Sequence, residues 1–268
     1  MKSPIEITRP SEPLSFTPMT TSFSPPVLAE PGALIPVMQQ QGYCVLDAPS
    51  VSALSGCPPA ALLALTPAWD ALPPDAFLKD GGRYRRRRHA SLVVHDGQVT
   101  LMPHRAHWQP LAYNALHGGM ERLFEPILPA LLAQPVWAQL LLWLGAVCSD
   151  LKGDKPWFVE AHQFRIDTTD GIGRPTPEGA HRDGVDLVAV FMVNRQAVKG
   201  GETRVFDAAG PNGQRFTLTQ PWSLLLLDDA RVIHESTPIQ PLQAERHDGH
   251  RDTLVITLRA KGFQEVGQ

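Results

Sequence analysis

Two histidines and one aspartate have the types and the spacing of metal ligands. His181 and Asp183 form a His-x-Asp pair, and His234 follows about fifty residues later, after the apolar run 222–227. Because alternate residues of a strand point to the same side, a strand would direct His181 and Asp183 towards one ion. A third ligand must then come from a strand that pairs later in the chain. Two imidazoles and one carboxylate suit Fe(II) and leave coordination positions open.

Arg251 is a candidate for binding an anion beside this set. It precedes the apolar run 254–258, and a guanidinium holds a carboxylate through two parallel hydrogen bonds. A dicarboxylate that chelates a metal ion at one end needs such an anchor at the other. Arg259 is a second candidate, although it lies at the far end of the same run. The alternative is that Arg251 faces solvent or pairs with Asp252 or Glu245.

Together with several further motifs, these residues carry a resemblance to a known family. The chain resembles the 2-oxoglutarate/Fe(II)-dependent dioxygenase superfamily, and within it the bacterial group of free L-amino-acid hydroxylases of the isoleucine type. The resemblance covers roughly residues 83–260. The motifs are His181-x-Asp183, Gly200-Gly201-Glu202-Thr203, Asp228-Asp229 with His234, Arg251-Asp252, His162-Gln163-Phe164-Arg165, and Tyr113-Asn114 with Gly118-Gly119.

The resemblance implies a mainly β fold with flanking helices (α+β) and a double-stranded β-helix core of the jelly-roll or cupin-like kind. It also implies that His181, Asp183 and His234 bind Fe(II), and that Arg251 binds the distal carboxylate of the cosubstrate 2-oxoglutarate. O2 is the third reactant. We therefore expect a dioxygenase that hydroxylates a small substrate, in the first instance a free L-amino acid or a derivative, and releases succinate and CO2.

Residues 157–168 alternate in the manner of a strand. One set of alternate residues includes Gln163 and Arg165, and the other set includes His162. If the first set points towards the metal, Gln163 and Arg165 contact the carboxylate of the cosubstrate or substrate, and His162 is structural. The alternative for Gln163 and Arg165 is ion pairing at the surface.

Three other segments carry polar side chains whose role the sequence leaves open. The arginine-rich run 83–89 is interpreted as a strand with some arginines in solvent and others paired with acidic residues, because the net charge is −3. Binding of a phosphate, an acidic partner or a carboxylate substrate is the alternative. The Gly- and Pro-rich residues 170–179 form either a lid over the site or a surface connection. His104 and His107 are interpreted as ordinary loop residues, because no carboxylate lies at metal-ligand spacing nearby.

The chain is expected to form one domain behind an N-terminal arm. Residues 1–31 are rich in Ser, Thr and Pro, so we expect them to be extended or flexible. Asp96-Gly97 is a strong signal for a hairpin turn. The expected domain is 32–268, with supporting helices mainly in 32–72 and 115–150 and the β core mainly in 83–103 and 157–260.

Composition narrows the range of partners. With 268 residues, 43% hydrophobic residues and a net charge of −3, the chain can bury a core, and it lacks the basic charge of a nucleic-acid-binding domain. Cys44, Cys57 and Cys148 are too few and too far apart for a disulfide framework, so we expect buried thiols in a reducing compartment. No stretch predicts a signal peptide or a membrane span. We expect a cytoplasmic protein with a small-molecule substrate, no nucleic-acid or membrane partner, and an undetermined oligomeric state.

Two other classes of protein share some of these features. A metal-dependent hydrolase or isomerase on a cupin-like barrel has the same ligand set but does not need Arg251. A non-catalytic relative that serves in stress or biofilm regulation would be expected to have lost a ligand, whereas His181, Asp183 and His234 are all present.

Overall fold

Antiparallel strands and a layer of helices make up the part of the chain that the computed structural model describes, residues 23–246 and 248–266. The helices are α1 (Leu34–Gln41), α2 (Ala48–Ser55), α3 (Pro59–Leu63), α4 (Pro129–Leu132) and α5 (Pro135–Lys152), with 3-10 turns at Pro31–Ala33 and Thr66–Trp69. The strands are β1 (Tyr43–Leu46), β2 (Arg85–His95), β3 (Gln98–Leu101), β4 (Trp157–Asp167), β5 (Leu187–Gln196), β6 (Val198–Gly200), β7 (Thr203–Asp207), β8 (Gly213–Phe216), β9 (Ser223–Asp228), β10 (Val232–Ser236), β11 (Ile239–Pro241) and β12 (His250–Arg259).

Most of these strands belong to one large antiparallel sheet. Its order is β1-β9-β5-β12-β4-β2-β3, and smaller sheets have the orders β10-β7-β8 and β11-β6. Neighbours in the large sheet come from distant parts of the chain, since β12 lies between β4 and β5. This arrangement, with helices at the side, confirms the predicted mainly β fold with a jelly-roll core.

The large sheet is covered on both faces. On one face the helices and the sheet enclose a core that includes Trp69, Trp137 and Trp157. On the other face a second cluster, including Val188 and Phe216, lies between the large sheet and the β10-β7-β8 sheet. Because both of its sides are covered, β9 is buried at every position and its sequence is a continuous apolar run.

Helix α5 is the main element of the supporting layer. Its buried residues recur every three or four positions, which directs one side of the helix onto the sheet. The predicted helical region 115–150 is helical only from Pro129 onwards. Residues 115–128 are not helical, because Gly118 packs against the backbone of Leu111 and Gly119 has a left-handed φ of +74°.

Several smaller predictions are also tested by this part of the chain. Asp96 and Gly97, with φ of 48° and 69°, join β2 to β3 and confirm the predicted hairpin turn. The three cysteines are free and buried, as expected.

The predicted N-terminal arm is only partly within the described residues. Residues 1–22 of the arm lie outside them. Within residues 23–31, the Phe23 carbonyl accepts from the Thr217 N–H, and the Leu28 N–H donates to the Val45 carbonyl of β1. Among the described helices, none is by itself long and apolar enough to cross a membrane; one pair, residues 48–55 and 59–69, would qualify only together, across a bend of 110°.

Candidate metal centre and the cavity around it

His181 and His234 face each other through a pair of backbone hydrogen bonds. The N–H of each residue donates to the carbonyl of the other, both at 3.0 Å. His234 lies in β10, and pairing with β7 places it opposite Val205. Because the backbones are joined directly, the two imidazole rings lie with their centroids 4.6 Å apart. The sheet therefore brings together two histidines that are about fifty residues apart in the sequence.

Asp183 is positioned by a second carboxylate and not by a strand. The strand expected for His181 and Asp183 is absent, and β5 begins only at Leu187. Instead, the carboxylate of Asp229 accepts hydrogen bonds from the N–H groups of Asp183, Gly184 and Val185, at 2.9, 2.7 and 3.1 Å. The prediction of a strand here is wrong because these N–H groups bond a buried side chain and not a neighbouring strand.

The three side chains direct donor atoms towards one another. Nε2 of His181 and Nε2 of His234 each lie 3.8 Å from an oxygen of Asp183. One ion bound at about 2 Å from each donor can bridge such separations. Nδ1 of His181 donates to the Gly179 carbonyl at 2.9 Å, which leaves the lone pair on Nε2, the atom nearest Asp183. The geometry therefore fits a single metal ion.

Burial and neighbouring charges shift the pKa values of the two histidines in opposite directions. Burial lowers the pKa of His181, but the carboxylates of Asp183 and Glu178 outweigh this effect, so its pKa is raised. Burial and the nearby His181 lower the pKa of His234 to about 4. A neutral imidazole is the form that binds a metal. The negative potential that attracts a proton to His181 also attracts a cation.

Arg251 lies in the same cavity as these ligands. It is 4% exposed, and its Nε is a buried atom without a hydrogen-bond partner among the described residues. Burial and the adjacent Arg195 lower its pKa to about 10. Arg259, the other candidate anchor, lies outside the cavity lining and donates to the carbonyls of Lys261 and Gly262. Of these two candidates, only Arg251 is placed to meet an anion beside the metal ligands.

The face of strand β4 that lines the cavity is the one that carries His162, and not the one that carries Gln163 and Arg165. Glu160, His162 and Phe164 line the cavity, whereas Gln163 and Arg165 do not. Arg165 donates to both oxygens of Asp252 and to Asp70. The prediction that Gln163 and Arg165 contact the cosubstrate or substrate is therefore wrong. His162, which accepts a hydrogen bond from Arg87, lines the cavity in their place. Alternation identifies the two faces of β4, but both are buried, so the sequence does not show which one faces the site.

In the arginine-rich part of β2, alternate arginines also lie on opposite faces of the strand, and only one face lines the cavity. Arg85 and Arg87 are buried and line the cavity, and Arg85 pairs with an acidic residue, as expected for some arginines of this run. Nε of Arg85 donates to the buried carboxylate of Asp75 at 2.7 Å. The guanidinium of Arg87 lies between two aromatic rings, 3.6 Å from the Phe124 centroid and 4.3 Å from that of Phe164. The structure thus makes one wall of the cavity cationic.

Three imidazoles and a carboxylate form a second group in this wall. His89 and His107 donate to Glu160 at 3.1 to 3.2 Å, and Nδ1 of His162 accepts from Nη2 of Arg87 at 2.7 Å. The donor atoms of this group lie within 4.8 Å of one another, as metal ligands do. However, His162 must keep its hydrogen on Nε2 while it accepts from Arg87, and Arg87 would repel a cation. We interpret the group as a hydrogen-bonding wall, in which burial lowers the pKa of all three imidazoles and keeps them neutral.

A polar network connects Asp183 to this wall. Nε2 of Gln109 donates to Asp183 at 3.2 Å, and Oε1 of Gln109 accepts from Arg122 at 3.0 Å. Arg122 is 2% exposed and lines the cavity. Nε2 of Gln264, near the chain end, donates to the carbonyls of Asp183 and Gly184. Sequence reasoning missed these residues; the only available signal was the nearby Asn114, within the motifs of the resemblance.

Replacing Asp229 with Asn is expected to weaken metal binding by about 10- to 100-fold, the usual effect of losing a group that orients a ligand. An amide keeps one acceptor oxygen but turns an NH2 group towards N–H donors, so at least one of the three bonds to residues 183–185 is lost. Metal affinity is measured by titration calorimetry.

The neighbouring variant Asp228→Asn serves as the control. Asp228 pairs with Lys152 at 2.7 Å and does not touch the ligand loop. This variant should lose stability without losing metal affinity. Equal metal affinities for Asp229→Asn and the wild type would show that Asp229 does not position Asp183.

The buried imidazoles predict that stability falls in mild acid. Burial lowers the pKa of His89 to about 4, so this residue takes up a proton on unfolding at pH 5 but not at pH 7.5. Because the pKa of His89 is lowered from 6.5 to about 4, this residue alone should lower the free energy of unfolding by about 2 kcal/mol between pH 7.5 and pH 5. Urea unfolding at the two pH values measures the loss. In His89→Asn the loss should be smaller by about that amount, and an unchanged pH dependence would contradict the prediction.

Comparison with known proteins agrees with this architecture. A family model described as 2OG-Fe dioxygenase matches residues 66–257. The chain is similar to a bsmA homolog from Methylobium petroleophilum PM1, with 53% identity, a TM-score of 0.84, and coverage of 89% of this chain and 96% of that one. No curated protein matches significantly.

More distant structures share the fold. IDO from Bacillus thuringiensis has 17% identity and a TM-score of 0.70, with coverage of 87% of this chain and 100% of that one. The Fe(II)/(alpha)ketoglutarate-dependent dioxygenase TqaL has 19% identity and a TM-score of 0.65, with coverage of 86% and 87%. The family uses Fe(II), 2-oxoglutarate and O2, and the His/Asp/His set of this chain can bind the iron. The chain therefore belongs to the 2OG-Fe dioxygenase family of oxidoreductases.

Proposed function

We propose that this chain is an Fe(II)- and 2-oxoglutarate-dependent hydroxylase of a small molecule, in which His181, Asp183 and His234 bind the iron and Arg251 binds the distal carboxylate of 2-oxoglutarate. The observation that carries the proposal is the guanidinium of Arg251. It is buried, has no ion-pair partner among the described residues, and lines the same cavity as the three donors. A buried cation without a partner is costly, so an anion that binds from solvent accounts for it.

In this proposal the protein's own residues orient the reactants and limit the entry of water. Asp229 and the bridge between His181 and His234 hold the ligands. The loop that precedes His181 is fastened to β10, because Thr176 and Ser236 exchange two hydrogen bonds of 3.0 Å. When bound, iron and 2-oxoglutarate supply the oxidative chemistry, which is decarboxylation to succinate and CO2 coupled to hydroxylation of a C–H bond.

The proposed substrate is a free L-amino acid or a derivative of one. The cavity has a volume of about 130 Å³, below the roughly 300–1,000 Å³ of sites for drug-sized ligands. Its lining carries both positive side chains, such as Arg122, and negative ones, such as Glu178. A small molecule with charged groups fits both the volume and the lining.

Anaerobic titration of the protein with Fe(II), followed by 2-oxoglutarate, tests the proposal. A weak visible charge-transfer band should appear only after both have been added, and succinate should be released when O2 is admitted together with a substrate. Metal binding without the band or succinate would favour a hydrolase or isomerase on this fold. Absence of metal binding would favour a non-catalytic relative.

A further inference from the structure

Two oppositely charged side chains of the cavity, Arg122 and Glu178, form no ion pair with a carboxylate, lysine or arginine among the described residues. Most charged groups of the lining are matched: Arg85 and Arg87 share Asp75, at 2.7 and 3.9 Å, and Glu160 accepts from His89 and His107. Arg122 and Glu178 are exceptions, as is Arg251, the proposed anchor of 2-oxoglutarate. Within the part of the chain that the structure describes, neither Arg122 nor Glu178 forms an ion pair within 4.0 Å with the other or with any other acidic or basic group, except for a 3.6 Å approach of Glu178 to His181.

Arg122 presents the positive charge. It is 2% exposed, its Nη2 donates to Gln109 at 3.0 Å, and its Nε is a buried atom without a partner among the described residues. Through Gln109 it lies one side chain away from Asp183. A buried guanidinium with unused donors is a site for a carboxylate.

Glu178 presents the negative charge. Its side chain is 10% exposed, and Oε2 is a buried atom that accepts no hydrogen bond from the described residues. Glu178 does not belong to the candidate metal-ligand set, which consists of His181, Asp183 and His234 and whose donor atoms lie within 4.8 Å of one another. Oε1 of Gln264, also buried and without a donor, lies in the same lining. These acceptors are suited to an ammonium group.

Arg122 and Glu178 line the same cavity. Burial and the neighbouring Arg85 lower the pKa of Arg122 to about 10, and Asp75 and Glu178 oppose this shift. Since the side chains do not pair directly, a ligand between them can satisfy both. A zwitterion adds no net charge to a buried site, which reduces the cost of its desolvation.

We propose that the cavity binds its substrate as a zwitterion, with the carboxylate on Arg122 and the ammonium on Glu178. This inference rests on the proposed hydroxylase function and restricts it, because it requires both charged groups of an α-amino acid to be free. N-acylated amino acids, amino-acid amides and peptides longer than one residue are then excluded, whereas the identity of the side chain is left to the apolar part of the cavity.

Ligand binding tests the inference without turnover. The full chain is loaded with Ni(II) in place of Fe(II) and with 2-oxoglutarate, and the dissociation constant of each of the twenty common L-amino acids is measured by calorimetry. The tightest of these is then compared with its N-acetyl and carboxamide derivatives. Each derivative should bind about 10- to 150-fold more weakly, the range expected for one charge-assisted hydrogen bond. Equal affinities, or no binding of any amino acid to the loaded protein, would overturn the inference.

Variants assign each charge to its residue. In Glu178→Gln, the N-acetyl derivative should bind at most about 3-fold more weakly than the free amino acid, whereas the carboxamide should lose as much affinity as it does in the wild type. In Arg122→Gln, the carboxamide should bind at most about 3-fold more weakly, and the N-acetyl derivative should lose as much affinity as in the wild type. The exposed Glu125→Gln and Arg246→Gln are matched controls that should behave as the wild type. If both derivatives lost as much affinity in the two cavity variants as in the wild type, the inference would also be overturned. Failure of the proposed function is distinguished by absence of the charge-transfer band with Fe(II) and 2-oxoglutarate, which neither cavity variant should remove.

Discussion

Replacing Asp183 with alanine is expected to abolish 2-oxoglutarate-dependent activity and to weaken metal binding by more than about 100-fold. Loss of a group that only orients a ligand costs about 10- to 100-fold, and Asp183 is itself the one carboxylate of the set. The remaining pair, His181 and His234, would leave the ion with two neutral donors and no charge compensation. Metal affinity is measured by calorimetry under anaerobic conditions, and activity by succinate release.

The control for this variant is Asp186→Asn. Asp186 lies three residues further along and accepts a hydrogen bond from the Ala260 N–H at 2.8 Å, outside the cavity lining. It should bind metal as the wild type does. If Asp183→Ala retained wild-type metal affinity, the three residues would not be the iron ligands.

Replacing Arg251 with glutamine is expected to have opposite effects on cosubstrate affinity and on the stability of the cosubstrate-free protein. The dissociation constant of 2-oxoglutarate should rise by at least about 30-fold, because truncating a buried charged pair costs about 2–5 kcal/mol. The free protein should become more stable, because burial and Arg195 lower the pKa of Arg251 from 12.5 to about 10. That shift corresponds to roughly 3 kcal/mol against the charged form.

Arg259→Gln is the matched variant, since Arg259 is the other arginine of β12 considered as an anchor. It should leave the affinity for 2-oxoglutarate within about 3-fold of the wild type, because Arg259 lies outside the cavity lining. Calorimetric titration with 2-oxoglutarate and thermal unfolding without it measure the two effects. A larger loss of affinity in Arg259→Gln than in Arg251→Gln would reverse the assignment of the anchor.

The ligand set shows how far local sequence patterns reach. His181, Asp183, His234 and Arg251 were identified by residue type and order, and the structure brings all four to one cavity. The predicted reason for the proximity of His181 and Asp183 was nevertheless wrong. A buried carboxylate at position 229 and a bridge to His234 hold them, and neither contact leaves a periodic signal in the sequence.

The sequence by itself identified the candidate ligands His181, Asp183 and His234, the candidate anchor Arg251, the main strands and the turn at Asp96-Gly97, because these depend on residue type and on short-range alternation. Tertiary structure alone decided which face of β4 and which arginines of β2 line the cavity. Alternation separates the two faces of a strand but does not show which face meets the site when both are covered. Arg122 and Glu178 lie in loops without a repeating pattern, so only the folded chain could bring their charges to one cavity.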